Sequence, residues 1–378
     1  MEVCLMEKKF NCFASAAFGM EGLVSRELKS LGLSDVLASN AGVYFQADAA
    51  EICSTNLKMH FSDRIFIILA SGKCITFDQL FNLVSTVKWT EYFEQNESID
   101  VSCKCSRSRL MSPRDCQSIT KKAIIENIRK NTGQKVFAES GPSLPVMVSV
   151  RNDHVMVLLN TSGAALSRRG YRTWNGEAPL RETLAAALVA LSPWKPGIPL
   201  HDPCCGTGTI LIEAARFAGQ IAPGLQRNFA MESMKCFHGV DFESMKKDLS
   251  SQIHTENIQK ISGSDLDPDA LELAARHIRQ SGLLQETIPL SRLPLQELSL
   301  SEPEGVFICN PPYGERLNDQ NHSRMLYHDL FKLKNRHPGW KFCAITSDPA
   351  FERYFGKRAD KKHRLYNGRL ECVYYIYY

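Results

Sequence analysis

The stretch Leu200-His201-Asp202-Pro203-Cys204-Cys205-Gly206-Thr207-Gly208-Thr209 decides the predicted fold of the second half of the chain. It is typical of a strand end, a glycine turn and the start of a helix that continues over residues 210–217. Glycines let a turn approach a ligand closely, and the free amides of the helix start point into the same space. From Pro199 onward strand and helix patterns alternate, which predicts an α/β domain.

The glycine turn lacks the features of a dinucleotide site. Leu211 stands where the dinucleotide fingerprint requires a small residue. The carboxylates Asp265 and Asp267 lie much further along the chain than the roughly 20 residues at which that fingerprint places its ribose ligand. S-Adenosyl-L-methionine fits better, because its cationic groups favour acidic and carbonyl neighbours and its ribose diol suits a carboxylate after the second strand. We therefore predict S-adenosyl-L-methionine as the cofactor.

A second stretch, Cys309-Asn310-Pro311-Pro312-Tyr313-Gly314-Glu315-Arg316, follows an apolar run that predicts a short buried strand. The two prolines prevent the sheet from continuing, so Asn310 is expected at the carboxyl end of a strand, the edge where open α/β sheets bind ligands. An amide oxygen and a proline carbonyl can accept both hydrogens of an exocyclic amine, and Tyr313 can stack on the attached ring. The alternative is a strand stopped by prolines, with a tyrosine in the turn.

Both stretches resemble motifs of class I S-adenosylmethionine-dependent amino-methyltransferases. Asn-Pro-Pro-Tyr resembles the motif of enzymes that act on exocyclic nucleobase nitrogens, and the glycine turn resembles the first cofactor motif. The resemblance implies that Asp267 holds the ribose hydroxyls, with Asp265 also suitably placed; Asp267 is also a candidate N-cap of the following helix. The implied catalytic residues are Asn310, Pro311, Pro312 and Tyr313. The implied cofactor-binding residues are Asp202, Pro203, Cys205, Gly206, Gly208, Thr209, Asp265 and Asp267.

The first part of the chain predicts an α+β region without a phosphate-binding loop. Its order resembles the N-terminal half of a family that carries a ferredoxin-like piece followed by a THUMP domain, an RNA-binding module. The opening Ala16-Ala17-Phe18-Gly19-Met20-Glu21 resembles the start of that family. The predicted domains are an N-terminal region over residues 1–160, a linker over 161–177 and a methyltransferase domain over 178–378.

Basic residues in two places are candidates for RNA contact. Cations close to an aromatic residue suit phosphate contact and base stacking. The alternative is that they form ordinary solvated surface. The candidates in the N-terminal region are Arg107, Arg109, Lys121 and Lys122, and those in the linker are Arg168, Arg169 and Arg172.

Asn367-Gly368 lies between two strand patterns near the end of the chain and is a strong signal for a β-hairpin. A terminal antiparallel hairpin on a parallel sheet resembles the class I (Rossmann-like) methyltransferase fold. The whole arrangement resembles bacterial 23S ribosomal RNA (guanine-N2)-methyltransferases. The resemblance implies methylation of guanine N2 in RNA. The alternatives are a tRNA guanine-N2 target, a DNA adenine-N6 target, or a non-catalytic RNA-binding assembly factor.

The composition of the chain limits which partners, cellular location and metals can be predicted. The net charge of +4 over 378 residues is too small to identify a partner. No apolar run reaches the length of about 18 residues that predicts a membrane span, and no signal-peptide core is present at the start. The 13 cysteines, an odd number scattered over the chain, favour reduced thiols and a cytoplasmic location. Cys103-x-Cys105 and Cys204-Cys205 lack a second pair at zinc-finger spacing, so no metal is expected.

Overall fold

The computed structural model describes residues 8–94, 96–133, 139–172, 180–312 and 317–378, with side chains from 323 onward in the last range. The chain forms two compact units, each assembled from separate segments. The first unit consists of Met1–Ala16, Val24–Leu166 and Asn228–Lys246. The second unit consists of Ala17–Leu23, Ser167–Arg227 and Lys247–Tyr378.

The first unit begins with a βαββαβ arrangement. Its four strands form an antiparallel sheet in the order β2-β3-β1-β4, which is the ferredoxin-like order predicted from the resemblance. Asp48 caps the second helix by accepting a hydrogen bond from the Glu51 amide at 2.9 Å. The boundary between the two units crosses α1, whose residues 21–23 belong to the second unit. The elements are β1 (Phe10–Ser15), α1 (Glu21–Ser30), β2 (Ser34–Ser39), β3 (Gly42–Ala47), α2 (Ala49–Lys58) and β4 (Arg64–Lys73).

The same sheet continues through β4-β7-β6-β5, with β5 parallel to β6 at its edge. Asn152 and Asp153 have φ of 51° and 62° and form the turn between β6 and β7. The further elements of this unit are α3 (Phe77–Ser85), β5 (Ser98–Ser106), α4 (Pro113–Thr132), β6 (Ser143–Arg151) and β7 (His154–Asn160).

Residues 228–246 belong to the first unit, although the sequence analysis placed them in the methyltransferase domain. The Met231 amide donates to the Thr161 carbonyl at 2.9 Å, and the Asn56 side chain contacts the Met231 sulfur at 3.5 Å. Lys235 donates to the Thr90 carbonyl at 2.9 Å. These partners are far apart in sequence, so neither composition nor local pattern indicates that residues 228–246 belong to the first unit.

The second unit contains a seven-stranded sheet in the order β10-β9-β8-β11-β12-β14-β13. Strand β14 is antiparallel to both of its neighbours, and the turn between β13 and β14 has Gly368 at φ 66°. The terminal hairpin and the class I methyltransferase fold are therefore confirmed. The boundary between the two units crosses α7, whose residues 242–246 belong to the first unit. The elements are α5 (Glu182–Leu191), β8 (Leu200–Asp202), α6 (Thr209–Ala218), α7 (Phe242–Ser251), β9 (Ile261–Asp265), α8 (Pro268–Gln280), β10 (Leu290–Arg292), β11 (Gly305–Cys309), α9 (Leu317–Arg336), β12 (Trp340–Thr346), α10 (Phe351–Phe355), β13 (Lys361–Asn367) and β14 (Leu370–Tyr377).

The strand order of this sheet reverses at β8. The chain runs from β8 to β9 and β10 on one side, then returns to β11 on the other. All pairs among these four strands are parallel, so their carboxyl ends meet at one edge. Such a reversal creates the crevice in which open α/β sheets bind ligands.

A large apolar cluster of the second unit packs against one face of the central strands. Strand β11 is buried at every position, and Phe307 packs against Trp340 with ring centroids 4.6 Å apart. Phe342 stacks on Phe355 at 5.0 Å on the helical layer. Among the described residues, no helix is both long and apolar enough to cross a membrane.

Candidate active site

Asp202 ends β8 and begins the glycine turn that is predicted to bind the cofactor, here called the cofactor turn (residues 202–209). It is only 1% exposed, and its Oδ1 accepts a hydrogen bond from the Cys204 amide at 3.0 Å. Burial raises the pKa of this carboxyl well above its usual range, the Cys204 bond partly offsets the rise, and the charge of Asp265 adds to it. The buried Asp202 and the nearby half-buried Asp265 favour a cationic ligand, because a positive charge stabilises both carboxylates.

Two glycines shape the turn that follows. Gly206 and Gly208 have φ of 51° and 79°, in the left-handed region that favours glycine. A Cβ added at Gly206 would meet nothing within 4 Å, so this residue presents open space to a ligand. A Cβ at Gly208 would lie 3.2 Å from the Ala274 Cβ, so this residue allows close packing on α8. The Cys205 amide donates to the Ser264 carbonyl at 3.0 Å and ties the turn to β9.

Leu211 has a structural explanation that the sequence did not reveal. A Cβ added at Gly263 of β9 would come 2.5 Å from the Leu211 Cδ1 and 2.9 Å from the Cys205 Cβ. The close helix–strand approach that a small residue on the helix provides in dinucleotide folds is provided here by a glycine on the neighbouring strand. The small residue therefore lies on strand β9 in this protein, and not on the helix as in the dinucleotide fingerprint.

The two aspartates of the loop after β9, Asp265 and Asp267, have different hydrogen-bond partners. Asp265 accepts hydrogen bonds from the Gly206 amide at 2.8 Å and the Asp267 amide at 3.1 Å, so it holds the turn and its own loop together. Asp267 is exposed, and its Oδ1 caps α8 by accepting from the Asp269 amide at 2.9 Å. The predicted N-cap is therefore confirmed.

Leu266, between the two aspartates, was missed by sequence reasoning. It is 61% exposed, which is unusual for a leucine beside a predicted ligand site. Arg292 at the end of β10 donates to the Leu266 carbonyl at 3.2 Å and fixes the loop backbone. Because no local pattern marks the residue, only its exposure at the carboxyl edge identifies it.

Asn310 follows β11 directly, as predicted. It is half-buried, Pro311 is buried and Pro312 is exposed. Strand β11 pairs in parallel with β8, so Asn310 lies at the same sheet edge as Asp202. Burial raises the pKa of the preceding Cys309 thiol, and the nearby Cys204 and Asp202 add to the effect. Tyr313 lies outside the described residues.

The basic segment of the linker packs against α6, the helix that follows the glycine turn. Arg169 is 1% exposed and forms an ion pair with the buried Glu213 of α6 at 3.3 Å, while the Tyr171 hydroxyl donates to the other carboxylate oxygen at 3.2 Å. Arg172 pairs with Glu182 at 3.4 Å and donates to the Thr209 hydroxyl. The prediction that Arg169 and Arg172 contact RNA is wrong, because both cations are buried against carboxylates that the linear sequence does not place beside them.

A histidine of α8 also contacts the glycine turn. His277 of α8 has its Nδ1 3.2 Å from the Thr207 carbonyl. Burial lowers the pKa of His277, and the contact with Thr207 opposes this shift. The turn is therefore held by α8 as well as by the linker.

The other predicted RNA contacts lie on the surface to different degrees. Arg107, Arg109 and Arg168 are exposed. Lys121 forms an ion pair with Glu139 at 2.7 Å, and Lys122 lies 3.8 Å from Glu126 one helical turn away. Exposed pairs of this kind contribute little to stability, so neither lysine is prevented from meeting a phosphate.

Family comparisons identify three domains in succession along the chain. A family described as "RMKL-like, methyltransferase domain" matches residues 169–376. The RlmL ferredoxin-like domain matches residues 11–66, and the THUMP domain matches residues 74–160.

Two curated relatives extend over nearly the whole chain. YpsC of Bacillus subtilis (strain 168), provisionally named an RNA methyltransferase, is 35% identical over 381 residues, covering 98% of this chain and 96% of YpsC. The ribosomal RNA large subunit methyltransferase K/L of Shewanella frigidimarina (strain NCIMB 400) is 32% identical over 375 residues, covering 97% of this chain. The chain spans 52% of that relative's length.

Solved structures give the same result. SMU.472, provisionally described as a methyltransferase and complexed with SAH, superposes with a TM-score of 0.92 at 36% identity, covering 99% of each chain. A protein of Listeria monocytogenes str. 4b F2365, described as a predicted N6-adenine-specific DNA methylase, superposes with a TM-score of 0.93 at 34% identity, covering 100% of this chain and 98% of that one. The chain therefore belongs to the family of S-adenosylmethionine-dependent RNA methyltransferases that join a ferredoxin-like domain, a THUMP domain and an RMKL-like methyltransferase domain.

Proposed function

We propose that the protein methylates the exocyclic N2 amine of a guanine in 23S ribosomal RNA. The observation that carries this proposal is the position of Asn310, which follows β11 at the point where the strand order reverses, at the same sheet edge as the acidic cofactor turn. The THUMP match supports an RNA substrate, and the K/L relatives carry a ribosomal RNA name.

The residues after β8 and β9 suit the cofactor. S-Adenosyl-L-methionine supplies an electrophilic methyl group on a positively charged sulfur. The carboxylates of Asp202 and Asp265 would be stabilised by the positive charge of the cofactor. The open space beside Gly206 lets the cofactor approach the backbone of the turn closely. The exposed carboxylate of Asp267 accepts the ribose hydroxyls, and Leu266 offers an apolar surface to the adenine ring.

Asn310 and Pro311 position the target amine. The nitrogen is a weak nucleophile, because its lone pair is delocalised into the ring. Hydrogen bonds from its two N–H groups to the Asn310 side-chain oxygen and the Pro311 carbonyl favour a pyramidal nitrogen with its lone pair directed out of the ring plane. No strong base is needed beforehand, since the nitrogen becomes acidic after methylation. The contribution of the protein is mainly positioning, and the base must leave its stack to enter.

Mass spectrometry of nucleosides from a deletion strain tests the target. We expect loss of N2-methylguanosine from 23S ribosomal RNA, with tRNA and DNA unchanged. Loss from tRNA alone would contradict the ribosomal assignment. Loss of N6-methyladenine from DNA would favour the activity for which the Listeria protein is described. Unchanged nucleosides in all three, together with retained cofactor binding, would favour a non-catalytic assembly factor.

Asp267→Asn separates ribose binding from helix capping. Asparagine caps helices about as well as aspartate, so the melting temperature should stay close to that of the wild type. Asparagine keeps one acceptor oxygen but loses the charge, so cofactor affinity measured by calorimetry should fall by about 1–1.5 kcal/mol, or roughly fivefold to tenfold. Asp269→Asn in the same helical turn is the matched control and should bind normally. Wild-type affinity in Asp267→Asn would transfer the ribose role to Asp265.

Reversing Arg107 and Arg109 tests the RNA surface of the first unit. The double change to glutamate should weaken RNA binding and reduce its salt dependence, because each lost phosphate contact removes about one released counterion. Lys29→Glu, an exposed change elsewhere in this unit, is the control. The full chain is the right material, since residues 228–246 belong to the first unit and a truncation would remove their partners. An unchanged salt slope would exclude both arginines from the RNA surface.

A further inference from the structure

Three cysteines of the first unit lie with their sulfur atoms close together, although the sequence analysis expected no metal. Cys103 and Cys105 occupy alternate positions of β5 and share one face of the strand. Cys116 is fully buried near the start of α4. The Cys103 and Cys105 sulfurs are 3.6 Å apart, those of Cys105 and Cys116 are 4.0 Å apart, and all three lie within 4.8 Å of one another.

These spacings match those of thiolates around one metal ion. Zinc binds sulfur at about 2.3 Å in tetrahedral geometry, which separates neighbouring sulfurs by about 3.8 Å. The 3.6 and 4.0 Å separations bracket that value. A disulfide would instead require two sulfurs to approach to about 2.0 Å and would leave the third thiol over. The geometry is therefore closer to three-way ligation than to a pairwise bond.

Ligation would convert the three thiols to thiolates, because a metal ion binds the deprotonated sulfur. The charge of the ion would offset both the burial of Cys116 and the repulsion among the three thiolates.

We propose that Cys103, Cys105 and Cys116 bind one thiophilic d¹⁰ metal ion, Zn²⁺ or Cu⁺. Three S–H bonds are replaced by three sulfur–metal bonds, three protons pass to solvent, and no electrons are transferred. Soft thiolate ligands select these two ions among common cellular metals. Zn²⁺ would take a fourth ligand such as water, whereas Cu⁺ is satisfied by three sulfurs.

The site joins the end of β5 to the start of α4. The segment that carries Arg107 and Arg109 lies between these two elements. It is also held by a hydrogen bond from the Arg109 amide to the Asp153 side chain at 2.7 Å. A bound ion would fix both ends of this segment. The metal would thus order the RNA-contacting arginines, a consequence that rests on the proposed RNA surface; metal binding itself does not.

Metal titration of the reduced full chain tests the site. We expect one Zn²⁺ or one Cu⁺ per chain in separate chelator-competition titrations, and the tighter ion identifies the occupant. Co²⁺ substitution should give a sulfur-to-metal charge-transfer band. Cys105→Ser, at a half-buried position, should lose binding and the band, and Cys74→Ala in the same unit should keep both. Absence of binding by the wild type, or equal binding by Cys105→Ser, would overturn the proposal.

Alkylation of the wild-type protein gives a second readout that needs no variant. Mass spectrometry should show several-fold slower modification of Cys103 and Cys105 once the ion is added. Cys204, half-buried in the second unit, should react at an unchanged rate and is the internal control. Equal reaction rates of Cys103 and Cys105 with and without the ion would also refute the site. Neither measurement depends on RNA or on methyl transfer, so failure here leaves the proposed function standing.

Discussion

Asn310→Ala is expected to lower the rate of methyl transfer by about 10²–10³, as typically follows removal of one preorganised hydrogen-bond partner of a transition state. The loss should fall on turnover, because the bonds from the amine strengthen as its nitrogen gains positive charge. Cofactor affinity should change little, since Asn310 follows β11 whereas the cofactor turn follows β8. Single-turnover methyl transfer to RNA measures the effect.

The competing explanation is that Asn310 only ends its strand. In that case the alanine variant would melt at a lower temperature and lose cofactor affinity, while turnover per folded molecule would be preserved. A melting curve recorded beside the single-turnover assay separates the two explanations. A stable Asn310→Ala protein with wild-type turnover would end the catalytic assignment.

Tyr313 is predicted to act at a different stage. Its loss should remove stacking of about 1–3 kcal/mol per base, so binding of the flipped base should weaken more than the chemical step slows. Tyr313→Phe keeps the ring and should be mild. A fall in turnover at saturating RNA for Tyr313→Ala would place the residue in the chemical step instead.

Structural features that depend on a few adjacent residues were predictable from the sequence. The glycine turn over Gly206–Gly208, the Asp267 cap and the Asn367-Gly368 hairpin each depend on a few neighbouring residues whose backbone preferences are strong. The same holds for the end of β11, because two consecutive prolines cannot continue a sheet. The resemblance to a known family supplied the order of the domains.

Features that depend on distant partners were not predictable. Arg169 finds its carboxylate 44 residues away on α6, and Cys116 meets Cys105 only because α4 packs on β5. Cysteine spacing alone does not place Cys116 beside Cys105, because the two residues are 11 positions apart and lie on different elements. Exposed arginines and buried ones look alike in a linear basic segment, so Arg168 and Arg169 could not be told apart.

Arg168 and Arg169 therefore make a matched pair for a stability experiment. Arg169→Met keeps much of the side-chain volume but removes the cation that faces the buried Glu213. Breaking a buried ion pair from one side typically costs about 3–5 kcal/mol. The Tyr171 hydroxyl and the nearby Arg216 still interact with Glu213, so we expect a loss at the lower end of this range. Arg168→Met, at the exposed neighbouring position, should change stability by less than about 0.5 kcal/mol.

Urea unfolding of the full-length variants, followed by a probe in the second unit, measures the difference. The double variant Arg169→Met/Glu213→Gln should recover part of the loss, since it removes the remaining buried charge while Tyr171 keeps an acceptor for its hydroxyl. RNA binding provides the opposite contrast: Arg168→Met should weaken it if Arg168 contacts phosphate, whereas folded Arg169→Met should bind RNA normally. Full stability in Arg169→Met together with weakened RNA binding would restore the original prediction, because only an accessible Arg169 could produce that result.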